Sequence, residues 1–257
     1  MATVRVGGVR VVYERAGQGA PLVLVHGAGD DGRVWGPQVS ALRTDFTVVA
    51  WDEPGAGRSS DLTPGFGLGD YADCLAAVIS DAGCGPAHVV GLSWGGTVAL
   101  ELYRRRPDTV RTLVLADTYA GWKGSLAPQE VAARVAGVRS APRGAGVPTA
   151  GLFAGEPPAA HVPLLDAMAR AVRPDTLAAQ LAIMAGADLR DVLPTIAVPT
   201  LLLWGERDAR SPLGVARAFR DAVPGAELVV LPGAGHLSNL EAPEGFDAAV
   251  RGFCRTR

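Results

Sequence analysis

Eight short apolar runs punctuate this chain, and from the third onward most are separated by stretches of helical character. The runs are Val4–Val6, Val9–Glu14, Leu22–His26, Phe46–Ala50, Val89–Leu92, Leu113–Ala116, Leu201–Trp204 and Leu228–Leu231. The intervening helical stretches are Val34–Leu42, Tyr71–Ala82, Trp94–Arg106, Pro212–Val223 and Pro243–Cys254. Strands that read as apolar throughout must be covered on both faces, and alternation with helices implies a mostly parallel α/β sheet. The first two runs differ: the Gly7-Gly8 pair between them reads as the tight turn of an antiparallel hairpin. With 257 residues, 48% of them hydrophobic, the chain has enough material for one sizeable core plus an insertion. Open sheets of this kind gather their ligands at the C-terminal ends of the strands.

At one such end stands Gly91-Leu92-Ser93-Trp94-Gly95-Gly96. Packing gives no reason for a serine between a buried strand and a helix. A turn this tight forces Ser93 toward positive φ, which costs about 1–3 kcal/mol in a non-glycine residue. Gly91 and Gly95 relieve the crowding across the turn. The hydroxyl is thereby lifted clear of the backbone, beside a helix N-terminus that favours developing negative charge. A serine hydroxyl needs a base, and the base needs an orienting group.

This G-x-S-x-G turn resembles the nucleophile elbow of the α/β-hydrolase family. The resemblance spans almost the whole chain. It implies a roughly eight-stranded, mostly parallel sheet with helices on both faces and a small helical cap inserted after the sixth strand. Residues 1–117 and 189–257 would form the core, and 118–188 the cap. The family order is nucleophile, acid, base. Of the four histidines, His236 follows a late strand, where the family keeps its base. Asp208, after the strand ending at Trp204, is the preferred acid; Glu206 and Asp117 compete for that role. The resemblance also assigns the oxyanion hole to the backbone N–H groups of Ala28, after the His26-Gly27 pair, and of Trp94, after the nucleophile. His26 itself is expected to brace its loop, and His88 and His161 are expected to be structural or exposed.

Other readings compete. Gly27-Ala28-Gly29-Asp30-Asp31-Gly32 matches G-x-G-x-x-G after a strand. Two aspartates beside a pyrophosphate, with no basic residue before Arg33, argue against a dinucleotide site, and Ser93, Asp208 and His236 would be left without a role. Asp52 to Ser59 resembles a structural turn of the hydrolase family. Net charge is −2, so no basic field is available for nucleic acid, and no apolar run is long enough for a membrane span. Cys74, Cys84 and Cys254 have no metal-ligand spacing, and their odd number fits a reducing, cytoplasmic setting. No secretory signal is read at the N-terminus. The sequence leaves open whether the chain is a monomer or a homodimer.

Between Asp117 and about Leu189 the strand–helix alternation stops, and helical pieces are expected near Pro128–Val138, Pro163–Val172 and Asp175–Met184. Candidate pocket residues here are Trp122, Leu126, Phe153, Leu164, Met168 and Met184, joined by Trp35 and Leu237 from the core. They describe an apolar pocket, and no basic side chain stands out as a clamp for a charged substrate. The expected reaction is hydrolysis of a carboxylic ester or lactone of a small, largely apolar molecule through an acyl-enzyme, with no metal or organic cofactor. Cleavage of a carbon–carbon bond, cofactor-free perhydrolysis and an aminopeptidase reaction use the same triad. A non-catalytic small-molecule binding protein is the reading from another class. Relatives that open epoxides or remove halides carry an aspartate where this chain has Ser93.

Overall fold

The computed structural model describes residues 1–139 and 150–257 of the chain. Eight strands form one sheet: β1 (Ala2–Val6), β2 (Val9–Ala16), β3 (Ala20–Val25), β4 (Phe46–Asp52), β5 (Ala87–Leu92), β6 (Val110–Ala116), β7 (Thr200–Gly205) and β8 (Glu227–Leu231). Their spatial order is β1-β2-β4-β3-β5-β6-β7-β8. Only β2 runs against its neighbours, pairing antiparallel with β1 and β4; every other pairing is parallel. Val6 pairs with Val9, and Gly7 and Gly8 both take positive φ (54° and 84°). That is the backbone a two-residue hairpin turn demands, and it explains the glycine pair.

The helices are α1 (Gly36–Leu42), α2 (Leu68–Asp81), α3 (Trp94–Arg105), α4 (Pro128–Arg139), α5 (Val162–Ala171), α6 (Pro174–Gly186), α7 (Leu213–Ala222), α8 (Ser238–Glu241) and α9 (Pro243–Cys254). The period-2 geometry of the central strands divides their side chains between two cores. Val23, Val25, Val89, Leu113, Leu115, Leu202 and Trp204 face one way, against Leu75, Val78, Val98, Leu102 and Phe219 of α2, α3 and α7. Leu22, Leu24, Val90, Val114, Leu201 and Leu203 face the other, against Leu42, Phe246 and Val250 of α1 and α9. Each such fully buried side chain contributes about 1.5–3 kcal/mol. The sheet is therefore clamped from both sides, and only its strand ends remain for chemistry. Helices α4, α5 and α6 all fall between β6 and β7. No helix among the described residues is long and apolar enough to cross a membrane.

Candidate active site

The β5–α3 turn holds Ser93 at φ 54° and ψ −121°, one of two non-glycine residues with positive φ among those described. Its backbone is pinned on both sides: the Ser93 N–H donates to the Ala116 carbonyl at 2.9 Å, and its carbonyl accepts the Gly96 N–H at 2.9 Å. The flanking glycines are required by contact. A Cβ on Gly91 would sit 2.6 Å from the Gly95 carbonyl oxygen. A Cβ on Gly95 would collide with the Val25 carbonyl and lie 2.7 Å from that of His26. So the helix can press against β3 only where side chains are missing.

Two further loops converge on the same end of the sheet. The β7 loop is bound to the β8 loop by Arg207 N–H to the Ala234 carbonyl at 2.8 Å and Glu206 N–H to the Leu231 carbonyl at 3.0 Å. His236 Nε2 lies 2.9 Å from Ser93 Oγ, and His236 Nδ1 lies 2.9 Å from Asp208 Oδ2. The other carboxylate oxygen of Asp208 accepts the N–H groups of Arg210 and Ser211, both at 2.8 Å. Both oxygens are thus committed, and the imidazole is held in one orientation with Nδ1 as donor and Nε2 toward the serine. The rival acids take other partners. Glu206 accepts the Gly233 N–H, and Asp117 accepts the Gly205 N–H at 2.8 Å and the Ser238 hydroxyl. Asp117 has the second positive φ, 49°, and ties the end of β7 to α8. Burial, and then the nearby Asp208 charge, hold its carboxyl well above the usual carboxylate range.

On the other side of Ser93, the backbone N–H groups of Ala28 and Trp94 are not used in a hydrogen bond to any other described backbone group, and both residues border the same cavity as Ser93. The loop bearing Ala28 is braced from beneath by His26, which is fully buried. Its Nδ1 donates to the Gly27 carbonyl at 2.9 Å and its Nε2 accepts the Glu53 N–H at 3.1 Å. Burial lowers its pKa, which keeps this tautomer neutral. Glu53 is buried as well, and its carboxyl accepts from the Trp94 indole at 2.8 Å and from the Gln180 amide. Burial raises the Glu53 pKa well above normal. This network links β4, the start of α3 and α6 immediately behind the site. Glu53 and Gln180 carry no motif, which is why the sequence did not single them out. His88 is buried on β5 against Thr112, His161 precedes α5, and neither lines the cavity that Ser93 lines.

Ser93 and His236 open onto a cavity of about 420 Å³. Trp122, Met184 and Leu237, expected at the pocket, do line it, alongside Tyr119, Leu152, Leu177 and Leu181. Phe153 and Met168 instead line a neighbouring cavity of about 460 Å³, which shares Asp30, Leu152 and Leu237 with the first. Three expectations fail among the described residues. Trp35 is fully buried, tilted against Phe246 at 5.9 Å in the core beneath the sheet. Leu126 closes a turn back onto the Trp122 carbonyl, and its side chain packs on the core. Leu164 also packs on the core, because α5 turns Leu165 and Met168 rather than Leu164 toward the second cavity. The expectation that no basic side chain stands out at the pocket is corrected too: Arg134 and Arg210 both line the Ser93 cavity. Asp30 lines it as well, and an atom at a Gly27 Cβ position would touch both Asp30 Oδ2 (2.9 Å) and Ser93 Cβ (3.4 Å). Burial, then the Asp31 charge, push the Asp30 carboxyl up to about 7.

Among the described residues no group of three His, Cys, Asp or Glu side chains is arranged to hold a metal. The three cysteines are free and buried, and burial pushes Cys74 and Cys254 up to about 12, far from a reactive thiolate.

Comparison with known proteins agrees with this fold. A model of the alpha/beta hydrolase family matches residues 22–249. A putative carbamate hydrolase, RutD, of Azorhizobium caulinodans is 30% identical, over 96% of this chain and 96% of that protein. A pimeloyl-[acyl-carrier protein] methyl ester esterase of Chromobacterium violaceum is 32% identical, over 97% of this chain and all (100%) of that protein. Among solved structures, a thermophilic esterase from Thermogutta terrifontis superposes with a TM-score of 0.85 at 30% identity, covering 99% of this chain and 96% of that one.

Proposed function

The chain belongs to the alpha/beta hydrolase family, and on that footing we propose that it is a serine hydrolase of carboxylic esters or lactones working through an acyl-enzyme. The observation that carries this reading is the unbroken contact chain Ser93 Oγ–His236–Asp208, with both links at 2.9 Å. In the proposed reaction His236 Nε2 takes the Ser93 proton as the oxygen attacks the carbonyl carbon. Asp208 fixes the tautomer and offsets the imidazolium charge. The carbonyl oxygen turns into the unused N–H groups of Ala28 and Trp94, where one such donor is worth roughly 100- to 1,000-fold in rate. His236 then gives its proton to the leaving alkoxide. Water, deprotonated by the same imidazole, releases the acid and restores Ser93. The reaction as written consumes one ester and one water, and it asks for no metal or cofactor. In this reading α4, α5 and α6 form a cap over the cavity, and the substrate is a small molecule.

The relatives include a putative carbamate hydrolase and a methyl ester esterase, which supports ester-like carbonyl chemistry over the carbon–carbon and peroxide alternatives. The test is hydrolysis of p-nitrophenyl esters of increasing acyl length by the wild type and by Ser93→Ala. A loss of at least about a thousandfold in the variant is expected. Equal rates in the two proteins would remove Ser93 from the mechanism.

A further inference from the structure

Two guanidinium groups line the same cavity as Ser93 and His236. Arg134 projects from α4 with its side chain 24% exposed. It lies over two aromatic faces, with its central carbon 5.6 Å from the Tyr119 ring centre and 5.3 Å from that of Trp122. Those faces hold the planar group in place by cation–π attraction. Its Nη2 donates to Glu130 Oε1 at 2.7 Å and to the Arg210 backbone carbonyl at 3.0 Å. Tyr119 anchors the same carbonyl through its hydroxyl at 2.7 Å. Arg210, two residues beyond Asp208, packs beside it and donates through Nε and Nη2 to the Ala150 carbonyl.

Placing two like charges side by side in a desolvated wall is costly. The cost is visible in Arg210, whose pKa is lowered by burial and then by the Arg134 charge. The Asp30 and Asp208 charges act on Arg210 in the opposite sense. Glu130 is half exposed, so its ion pair with Arg134 is screened by solvent. Asp208 already serves His236. Asp30 is the only acid among the described residues lining the cavity, and it stands beside Ser93. The remaining described wall is largely apolar, with Leu152, Leu177, Leu181, Met184 and Leu237. A cavity that brings together Ser93, apolar side chains and two planar cations suits a particular kind of molecule. That molecule has a reacting carbonyl, a hydrocarbon portion and an anion matching the guanidinium fork.

We propose that Arg134 and Arg210 form an anion subsite in the catalytic cavity, and that the natural substrate is an ester or lactone bearing a carboxylate on the portion that fills it. The substrate half of this proposal rests on the ester-hydrolase reading above; the binding half does not. The arginines contact ground state and transition state alike, so their contribution falls on KM and leaves the chemical step to the triad.

Two matched ester pairs test it, followed by pH-stat at low salt. Monoethyl glutarate is compared with ethyl pentanoate, and 4-acetoxybutanoate with butyl acetate. In each pair a carboxylate replaces a methyl, on the acyl side in the first and on the alcohol side in the second. At least one carboxylate ester is expected to exceed its neutral partner tenfold or more in kcat/KM, mostly through KM. Arg134→Gln is expected to bring that ratio to near one, and Arg134→Lys to keep part of it. Equal kcat/KM within both pairs, with activity still dependent on Ser93, overturns the subsite and leaves the hydrolase reading standing. Binding is measured separately, by calorimetric titration of Ser93→Ala with monoethyl glutarate and with ethyl pentanoate. Affinity at least tenfold tighter for the anion, lost when Arg134→Gln is added, supports the subsite even where the wild type cleaves none of the four esters. Equal affinity for the two overturns it.

Discussion

The backbone strain at Ser93 gives a prediction in which catalysis and stability move in opposite directions. Residue 93 sits at φ 54°, ψ −121°, a region glycine enters freely and a residue with a Cβ does not. Holding a side chain there costs about 1–3 kcal/mol. Ser93→Ala keeps the Cβ, and so keeps the strain. Ser93→Gly removes it. Both variants lose the hydroxyl contact with His236, so comparing them isolates the Cβ. Against the relief stands the extra backbone entropy glycine loses on folding, about 0.5–1 kcal/mol. The alanine methyl adds only part of the ~0.8 kcal/mol of a buried carbon, because residue 93 opens on the cavity. The balance favours glycine by about 1 kcal/mol, or about 2–4 °C in Tm for a chain of this length. Urea unfolding followed by tryptophan fluorescence measures it directly, read as a shift in midpoint at constant slope. Both variants should lack esterase activity. Ser93→Gly at or below Ser93→Ala in stability would show that the elbow stores no strain in this protein, and that its geometry is imposed for nothing.

Two further predictions concern acids around the site. Asp208→Ala should lower kcat on the order of ten-thousandfold, as loss of the tautomer-holding carboxylate does elsewhere, whereas Asp117→Asn should cost much less; the reverse ranking in ester hydrolysis would make Asp117 the acid of the triad. Asp30 is raised from 3.8 to about 7, so between those values the folded protein keeps a proton that the unfolded chain releases. Its contribution to stability therefore falls as pH rises from about 4 to about 7 and is constant above. The full shift would amount to about 4 kcal/mol at 1.36 kcal/mol per unit, and because the carboxyl opens on the cavity about half of that is expected. Asp30→Asn should accordingly gain about 2 kcal/mol on the wild type between pH 4 and pH 8 in urea midpoints; parallel pH curves for the two proteins would show that Asp30 stays well solvated.

What the sequence revealed and what it hid follow one physical division. Strand composition, turn glycines and the elbow are local: each is written in a few consecutive residues whose backbone has few alternatives. Gly91 and Gly95 are legible because a Cβ at either would meet backbone, whatever the rest of the chain did. The order Ser93, Asp208, His236 is legible for a related reason, since each follows a strand and parallel strands deliver their C-terminal ends to one edge. Wall residues are not local. Whether Leu164 or Leu165 faces a cavity depends on the roll of α5 by about 100°, and nothing within that helix fixes its roll. Trp35 was misplaced because an apolar aromatic beside a catalytic loop satisfies the core as well as a pocket, and here Phe246 on the last helix captures it.

The arginines show the same limit from the polar side. Arg134 and Arg210 are far apart in sequence, each beside an acid that reads as an ordinary partner, Glu130 one helical turn away and Asp208 two residues before. Only the fold shows the Arg210 backbone carbonyl receiving both Arg134 and Tyr119, which binds the acid loop to α4. That bond ties Arg134, which lines the cavity, to the short segment that carries Asp208. Chemistry and selectivity are then mechanically joined: the loop that orients His236 is also held by the wall that would read the substrate. A change at Arg134 should therefore touch KM first and disturb the triad only if the Arg210 carbonyl is released, which the Tyr119 hydroxyl is positioned to prevent.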